Sequence, residues 1–188
     1  DACEKLGLTS KYAKCTVLGI CGGETLWQTI SEGTLYTNKE RYKETFRTAY
    51  TTDPARGEKY FNWRGDPVEF FEFVYGFDNA KGREVGSRVA GDGGKYYGRG
   101  FVQLTGKANY AINEKKLAKL GFNVPLIANP DVLIGDYELS ALVTVMFFKQ
   151  NIQDVPQDSP NYFETALKRV GKAVGDSYIK KRKMYEYF

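Results

Sequence analysis

The chain is 188 residues long, carries 27 Lys+Arg against 23 Asp+Glu (net charge +4) and contains no histidine. That length suits one domain, or at most two small lobes sharing a core, and 42% hydrophobic with 27% charged residues is a globular balance, not a disordered or fibrous one. The missing histidine excludes a Ser-His-Asp or Cys-His nucleophile, a His-ligated zinc and a His general base, so that in an enzyme carboxylates are the expected proton carriers.

Cys3, Cys15 and Cys21 all fall in the first 21 residues, in no zinc or CxxC spacing. Cys15 and Cys21 would point about 240° apart on one helix and could not bond each other. The three read as reduced thiols from a cytosolic site of synthesis. Residues 10–23 form the first predicted helix: Ser10 caps it, 17–21 is apolar, and Gly22-Gly23 ends it. Glu24 follows at once, a carboxylate at the end of a core helix. Residues 27–37 read as a loop or small strand.

A second helix spans 38–50, capped by Asn38, with Tyr42, Phe46 and Tyr50 on one face. The segment 66–76 carries the clearest local signature: Asp66 as N-cap, Pro67 first in the helix, Glu69 completing the cap, and Gly76 at the end. Seven glycines between 78 and 100 imply tight turns, without the phosphate-loop pattern. Helical patterning resumes from Gly106 to Leu120 and from Asp136 to about Gln150, the latter nearly all apolar. Ser159-Pro160 opens another helix through Tyr162 or Phe163, Leu167 and Val170, and 176–188 closes the chain with Tyr178, Ile179, Met184, Tyr185 and Phe188.

The expected fold is therefore α+β but predominantly α-helical, a single domain over 1–188 without repeat or linker. No stretch approaches the ~20 apolar residues of a membrane span, and no signal peptide is evident. Starting at Asp1 without Met, the chain reads as a processed product or a domain of a longer protein. No metal site or cofactor is expected. The mild positive charge suits an anionic partner such as a cell wall, and no nucleic-acid motif accompanies it. Lys168, Arg169, Lys172, Lys180, Lys181, Arg182 and Lys183 crowd the C-terminal part and read as a solvated helix face or an attraction for anionic polymer.

The stretch 96–110 is YYGRGFVQLTGKANY. Tyr97, Gly98, Arg99, Gly100, Gln103, Leu104, Thr105, Asn109 and Tyr110 match the signature of the family 19 glycoside hydrolases, the plant-type chitinases and related phage and bacterial endolysins. Gly23-Glu24-Thr25 and Glu32-Gly33-Thr34-Leu35-Tyr36 resemble the endolysin branch upstream, and the closing helices match more loosely. The likeness covers about residues 10–188 and is weakest at 52–65 and 150–165. Two positions depart: Gly23 stands where relatives usually carry His, and Phe101 where the plant motif has Pro. Phe101 and Val102 suggest a small strand packed on the core.

This resemblance implies a lysozyme-like architecture with a small β element beside the cleft. Inverting glycoside hydrolysis needs a carboxylic acid to protonate the leaving oxygen and a second carboxylate, ~6.5–9.5 Å away, to activate water. Glu24, abutting a buried helix, is the expected acid, its proton affinity raised by desolvation. Glu32 is the expected base. On one continuous helix the two would sit ~12 Å and ~80° apart, so a turn at Gly22-Gly23 is required to bring Glu32 back. Glu44, at the longer spacing of the plant enzymes, reads as solvent-facing.

The resemblance further implies that Thr105 holds the attacking water, and that Gln103 and Asn109 bind sugar, unless they satisfy loop backbone instead. Tyr97 joins them as substrate-binding, Arg99 is structural near the site, and Arg182 is placed near the cleft. The substrate implied is a β-1,4-linked N-acetylhexosamine polymer, peptidoglycan strands ahead of chitin. The expected setting is synthesis in a host cytoplasm and action at the cell wall, by a free lysin or part of a virion protein. A lytic transglycosylase and a non-catalytic wall-binding domain remain the alternatives.

Overall fold

The computed structural model describes residues 1–171 and 175–188; Lys172 of the basic cluster lies outside the described residues. The structure is 61% helix and 2% strand, in keeping with a lysozyme-like, predominantly α-helical fold. In chain order the helices are α1 (Ala2–Lys5), α2 (Lys11–Thr25), α3 (Lys39–Thr45), α4 (Arg47–Thr52), α5 (Pro54–Tyr60) and α6 (Pro67–Tyr75). Then come α7 (Ala80–Glu84), α8 (Asp92–Lys95), α9 (Lys107–Lys119), α10 (Tyr137–Asn151), α11 (Tyr162–Ala166) and α12 (Gly175–Tyr187). A 3₁₀ turn occupies Pro130–Leu133, and a π turn at Leu167–Gly171 extends α11. The β content is limited to bridge residues such as Ser31, Arg99 and Leu104. No helix among the described residues is long and apolar enough to cross a membrane.

Two compact units divide the chain. The first comprises Asp1–Ile30, Arg99–Gln103 and Asp131–Phe188. Its core joins Val17, Ile20 and Cys21 of α2 to Val145 and Phe148 of α10 and Phe163 of α11. Helix α2 is buried along most of its length, as its apolar run requires, and α10 likewise, with Asp136 capping α10 through Leu139 N–H at 2.9 Å. Phe101 and Val102 do pack on this core, but in a turn and not a strand, because Gly100 (φ 75°) and Gln103 (φ 51°) reverse the chain there. All three cysteines are free; Cys15 and Cys21 are buried, and burial pushes the Cys3 and Cys21 thiols up.

Helices α2 and α12 approach closely because two glycines four residues apart leave their backbones bare. A Cβ at Gly19 would stand 2.8 Å from Tyr185 N and Cα, and one at Gly23 would stand 2.2 Å from Lys181 Cγ. At Gly19 the obstacle is backbone, which cannot rotate away. Gly19→Ala would gain about 1 kcal/mol of helix propensity against roughly 2–3 kcal/mol of overpacking. A net loss of about 1–2 kcal/mol is expected in urea denaturation, and a more stable variant would contradict this packing.

The second unit comprises Ser31–Gly98 and Leu104–Pro130. Its core is aromatic: Tyr42, Phe46, Tyr60, Phe70, Phe71, Phe73 and Tyr97 pack together, mostly edge to face, as ring quadrupoles prefer. The helix expected over 38–50 divides at Phe46 (φ −108°, ψ 32°), whose ring inserts between Tyr36, Tyr42 and Phe70. Asn38 caps it as its type requires, accepting from Arg41 N–H at 2.8 Å. Asp66 likewise caps α6 through Val68 N–H. Glu69 does not complete that cap, since Lys59 and Tyr60 of α5 offer it an ammonium at 2.6 Å and a phenol at 2.8 Å. The glycine-rich segment after α6 is tied back to it by Glu72, which accepts from Gly91 and Gly94 N–H, both at 2.9 Å.

Candidate active site

Glu24 belongs to the first unit and lies in the last turn of α2. The helix does not stop at Gly22-Gly23. Both glycines are there for close approach: a Cβ at Gly22 would meet the Trp27 ring at 2.5 Å, and one at Gly23 the Lys181 stem. The chain turns instead at Leu26 (φ 52°) and Trp27 (φ 56°), two consecutive left-handed residues without glycine's freedom, each costing about 1–2 kcal/mol. Trp27 Nε1–H is anchored on Leu18 O at 3.0 Å, so the strained turn is pinned at its far side.

The Glu24 side chain is 35% exposed, so water reaches it. It also has a partner. Lys181 of α12 is 1% exposed and its Nζ donates to Glu24 Oε1 and, at 2.9 Å, to Gly171 O. The lysine stem runs across bare Gly23, so a side chain there would displace it. Arg182, expected near the cleft, pairs with Glu164 and Glu186, both at 2.7 Å. Neighbouring residues of a helix are 100° apart, so only one of the two can face α2.

A buried ammonium is costly unless paired and hydrogen-bonded. Lys181→Met keeps the stem over Gly23 but leaves the Gly171 carbonyl without its buried donor, an expected loss of about 1–3 kcal/mol in a urea melt. Glu24 adds little to that loss because water reaches it. An unchanged midpoint would show that this ammonium is not held as described.

Glu32 belongs to the second unit and is held by the YGRG segment and by α6. Its backbone N–H donates to Gly98 O at 2.8 Å, and its carboxylate accepts from Gly98 N–H at 3.2 Å. Tyr75 OH donates to the same carboxylate at 3.0 Å. Burial first, then the Glu32 charge, pushes the Tyr75 phenol well above its ordinary value, so this hydroxyl keeps its proton and serves as donor. Glu32 is half-buried and lines a cavity of about 350 Å³ with Glu44, Arg47, Tyr75, Lys81 and Glu84. Glu44 is exposed on α3 and reaches the same cavity.

The remaining motif residues are mostly engaged with the protein itself. Tyr97, expected to bind substrate, is 8% exposed and stacks on Phe71 at 4.4 Å, so that face of its ring belongs to the core. Arg99 is buried and pairs with Asp131 at 2.5 Å. Gln103 donates its amide to Ile30 O and Gly100 O, at 2.9 and 3.0 Å, and Asn109 donates to Thr105 O at 2.8 Å. Thr105 is half-buried, next to the Gly106 N-cap of α9. Among the described residues no group of three or more His, Cys, Asp or Glu side chains could hold a metal ion.

Sequence reasoning missed Lys181 and Tyr75. A signal existed for each. Gly19 and Gly23 four apart call for a close helix partner, and Lys181 and Tyr185 share that spacing; Tyr75 stands four residues after Phe71, on the same face of α6.

No family model matches the chain. The chain is 31% identical over 146 residues, 78% of its own length, to a glycosyl hydrolase family 19 domain-containing protein of Haemophilus influenzae. The match spans 66% of that relative's length. Motif and relative agree at the level of the family: this chain is a distant relative of a glycosyl hydrolase family 19 domain-containing protein.

Proposed function

We propose that the chain is a glycoside hydrolase that cleaves the β-1,4 glycan backbone of bacterial peptidoglycan by an inverting, two-carboxylate mechanism. The observation that carries this reading is Glu32, pinned by Gly98 of the YGRG motif through both its backbone and its carboxylate. In this role Glu32 accepts a proton from the attacking water, with Thr105 orienting that water, and Glu24 protonates the departing glycosidic oxygen. In a chain without histidine, carboxylates are the readiest carriers for these two proton transfers.

Peptidoglycan is favoured over chitin by the eight-residue step from Glu24 to Glu32 and by the following Gly33-Thr34-Leu35-Tyr36, both of the endolysin kind, and the +4 charge suits an anionic wall. The biological role that follows is lysis or wall penetration by a phage. The protein would be made in the host cytoplasm and act at the wall, free or within a larger virion protein.

The test is digestion of purified peptidoglycan and of chitin, with reducing ends assayed and released muropeptides identified by mass spectrometry. New reducing ends from peptidoglycan are expected. Activity on chitin alone would overturn the substrate, anhydro-sugar ends would make the chain a lytic transglycosylase, and cleavage of neither polymer would leave a wall-binding domain.

A further inference from the structure

We infer that Tyr75 is a positioning residue for Glu32, holding the carboxylate oriented and ionised by donating its phenolic hydrogen; the catalytic consequence rests on the reading of Glu32 as the base. The geometry is built for this. Tyr75 ends α6, and its hydroxyl lies 3.0 Å from Glu32 Oε1 and 3.3 Å from Oε2, so the donor is shared by both oxygens. The ring cannot swing away, because it stacks on Phe71 (5.8 Å, 9°), which stacks in turn on motif residue Tyr97 (4.4 Å, 12°). The backbone is held too, since Ser87 Oγ donates to Tyr75 O at 2.7 Å. Tyr97 therefore bears on Glu32 from within the core, through two rings, which gives this motif position a role that needs no contact with sugar.

Hydrogen bonds to the charged form of a carboxyl group favour that form. Glu32 receives one from Tyr75 and one from Gly98 N–H. The other titratable or charged groups around it are Tyr36, whose phenol is pushed up to about 12 by burial first and the Glu32 charge second, and Glu44, Arg47, Lys81 and Glu84 of the shared cavity. That cavity carries two acids and two bases, and Tyr75 OH and Gly98 N–H donate to the carboxylate directly.

The experiment replaces the hydroxyl alone. Tyr75→Phe keeps the stack, and two things are measured in it and in the wild type: the titration of the Glu32 carboxyl by carbon NMR, assigned with Glu32→Gln, and the pH profile of kcat/KM. Losing a donor to the ionised form raises the carboxyl's pKa, so the NMR midpoint and the acidic limb should both move up by about one pH unit. KM should hold while kcat below the limb falls about tenfold. An unmoved NMR midpoint overturns the inference, even if the rate falls. A raised midpoint in a protein that cleaves no glycan would uphold the positioning of Glu32 and instead defeat the hydrolase reading. Should Tyr75→Phe lose its cooperative melting transition, 3-fluorotyrosine at position 75 retains ring and hydroxyl; its stronger donation should move the midpoint down, and an unchanged midpoint again overturns the inference.

Discussion

Glu24→Gln is expected to lower kcat on peptidoglycan by about 10²–10⁴-fold, the contribution of a positioned general acid. The amide cannot protonate the leaving oxygen, yet it preserves the environment. Its oxygen still accepts from Lys181 Nζ, and Gly171 O still shares that ammonium, so the fold should lose no more than about 1 kcal/mol. Glu24→Ala differs, because it leaves a 1%-exposed ammonium with one neutral acceptor. Removing one partner of a buried pair costs up to about 3–5 kcal/mol, and water at the exposed side of Glu24 brings this toward the lower figure. Rate assays at matched folded fractions separate the two effects. Full activity in Glu24→Gln would remove Glu24 from the role of acid.

A loss of similar size is expected for Glu32→Gln, about 10²–10⁴-fold in hydrolysis, since an amide cannot take a proton from water. The local cost is also small. Tyr75 OH lies within reach of both carboxylate oxygens and Gly98 N–H of one, so a glutamine oxygen at the Oε2 position can accept from both while its NH₂ donates to the phenolic oxygen. Neutral acceptors replace charged ones, so the melt should shift by no more than about 1 kcal/mol while the rate falls. A transglycosylase needs no base for water, so retained cleavage with anhydro-sugar products would sink the hydrolytic assignment. Glu44 lines the same cavity and is the natural reserve. If residual hydrolysis in Glu32→Gln disappears in the Glu32→Gln/Glu44→Gln double variant, Glu44 supplies the remaining base.

Within the first unit, Lys181 and Gly23 are coupled. The departure at position 23 is accompanied by a lysine stem lying where a side chain would otherwise stand. A histidine introduced at 23 would therefore compete with Lys181 for space, and the two cannot be treated as independent substitutions.

Much was legible in the residues. Asn38, Asp66 and Asp136 announce helix starts because a short polar side chain next to an apolar-periodic run has a local partner, the N–H two or three residues on. The apolar runs of α2 and α10 declare core helices by the same local logic. The lack of histidine removes one class of proton carrier, and the YGRG-to-NY stretch resembles the family that the relative supports.

What tertiary structure alone decides is which polar groups are buried and what they hold. Gly22-Gly23 reads locally as a helix stop and is in fact a bare surface for Trp27 and Lys181, parts of the chain that a local rule does not see. Lys181 is one of four consecutive basic residues, and nothing in their spacing says which faces α2; the facing glycine decides it. Tyr97 is a motif residue whose ring belongs to the core, and Tyr75 a core aromatic whose hydroxyl belongs to Glu32. Local hydrogen bonding and periodicity are set within a turn or two of chain. The environment of a charge is set by whichever distant surface closes over it.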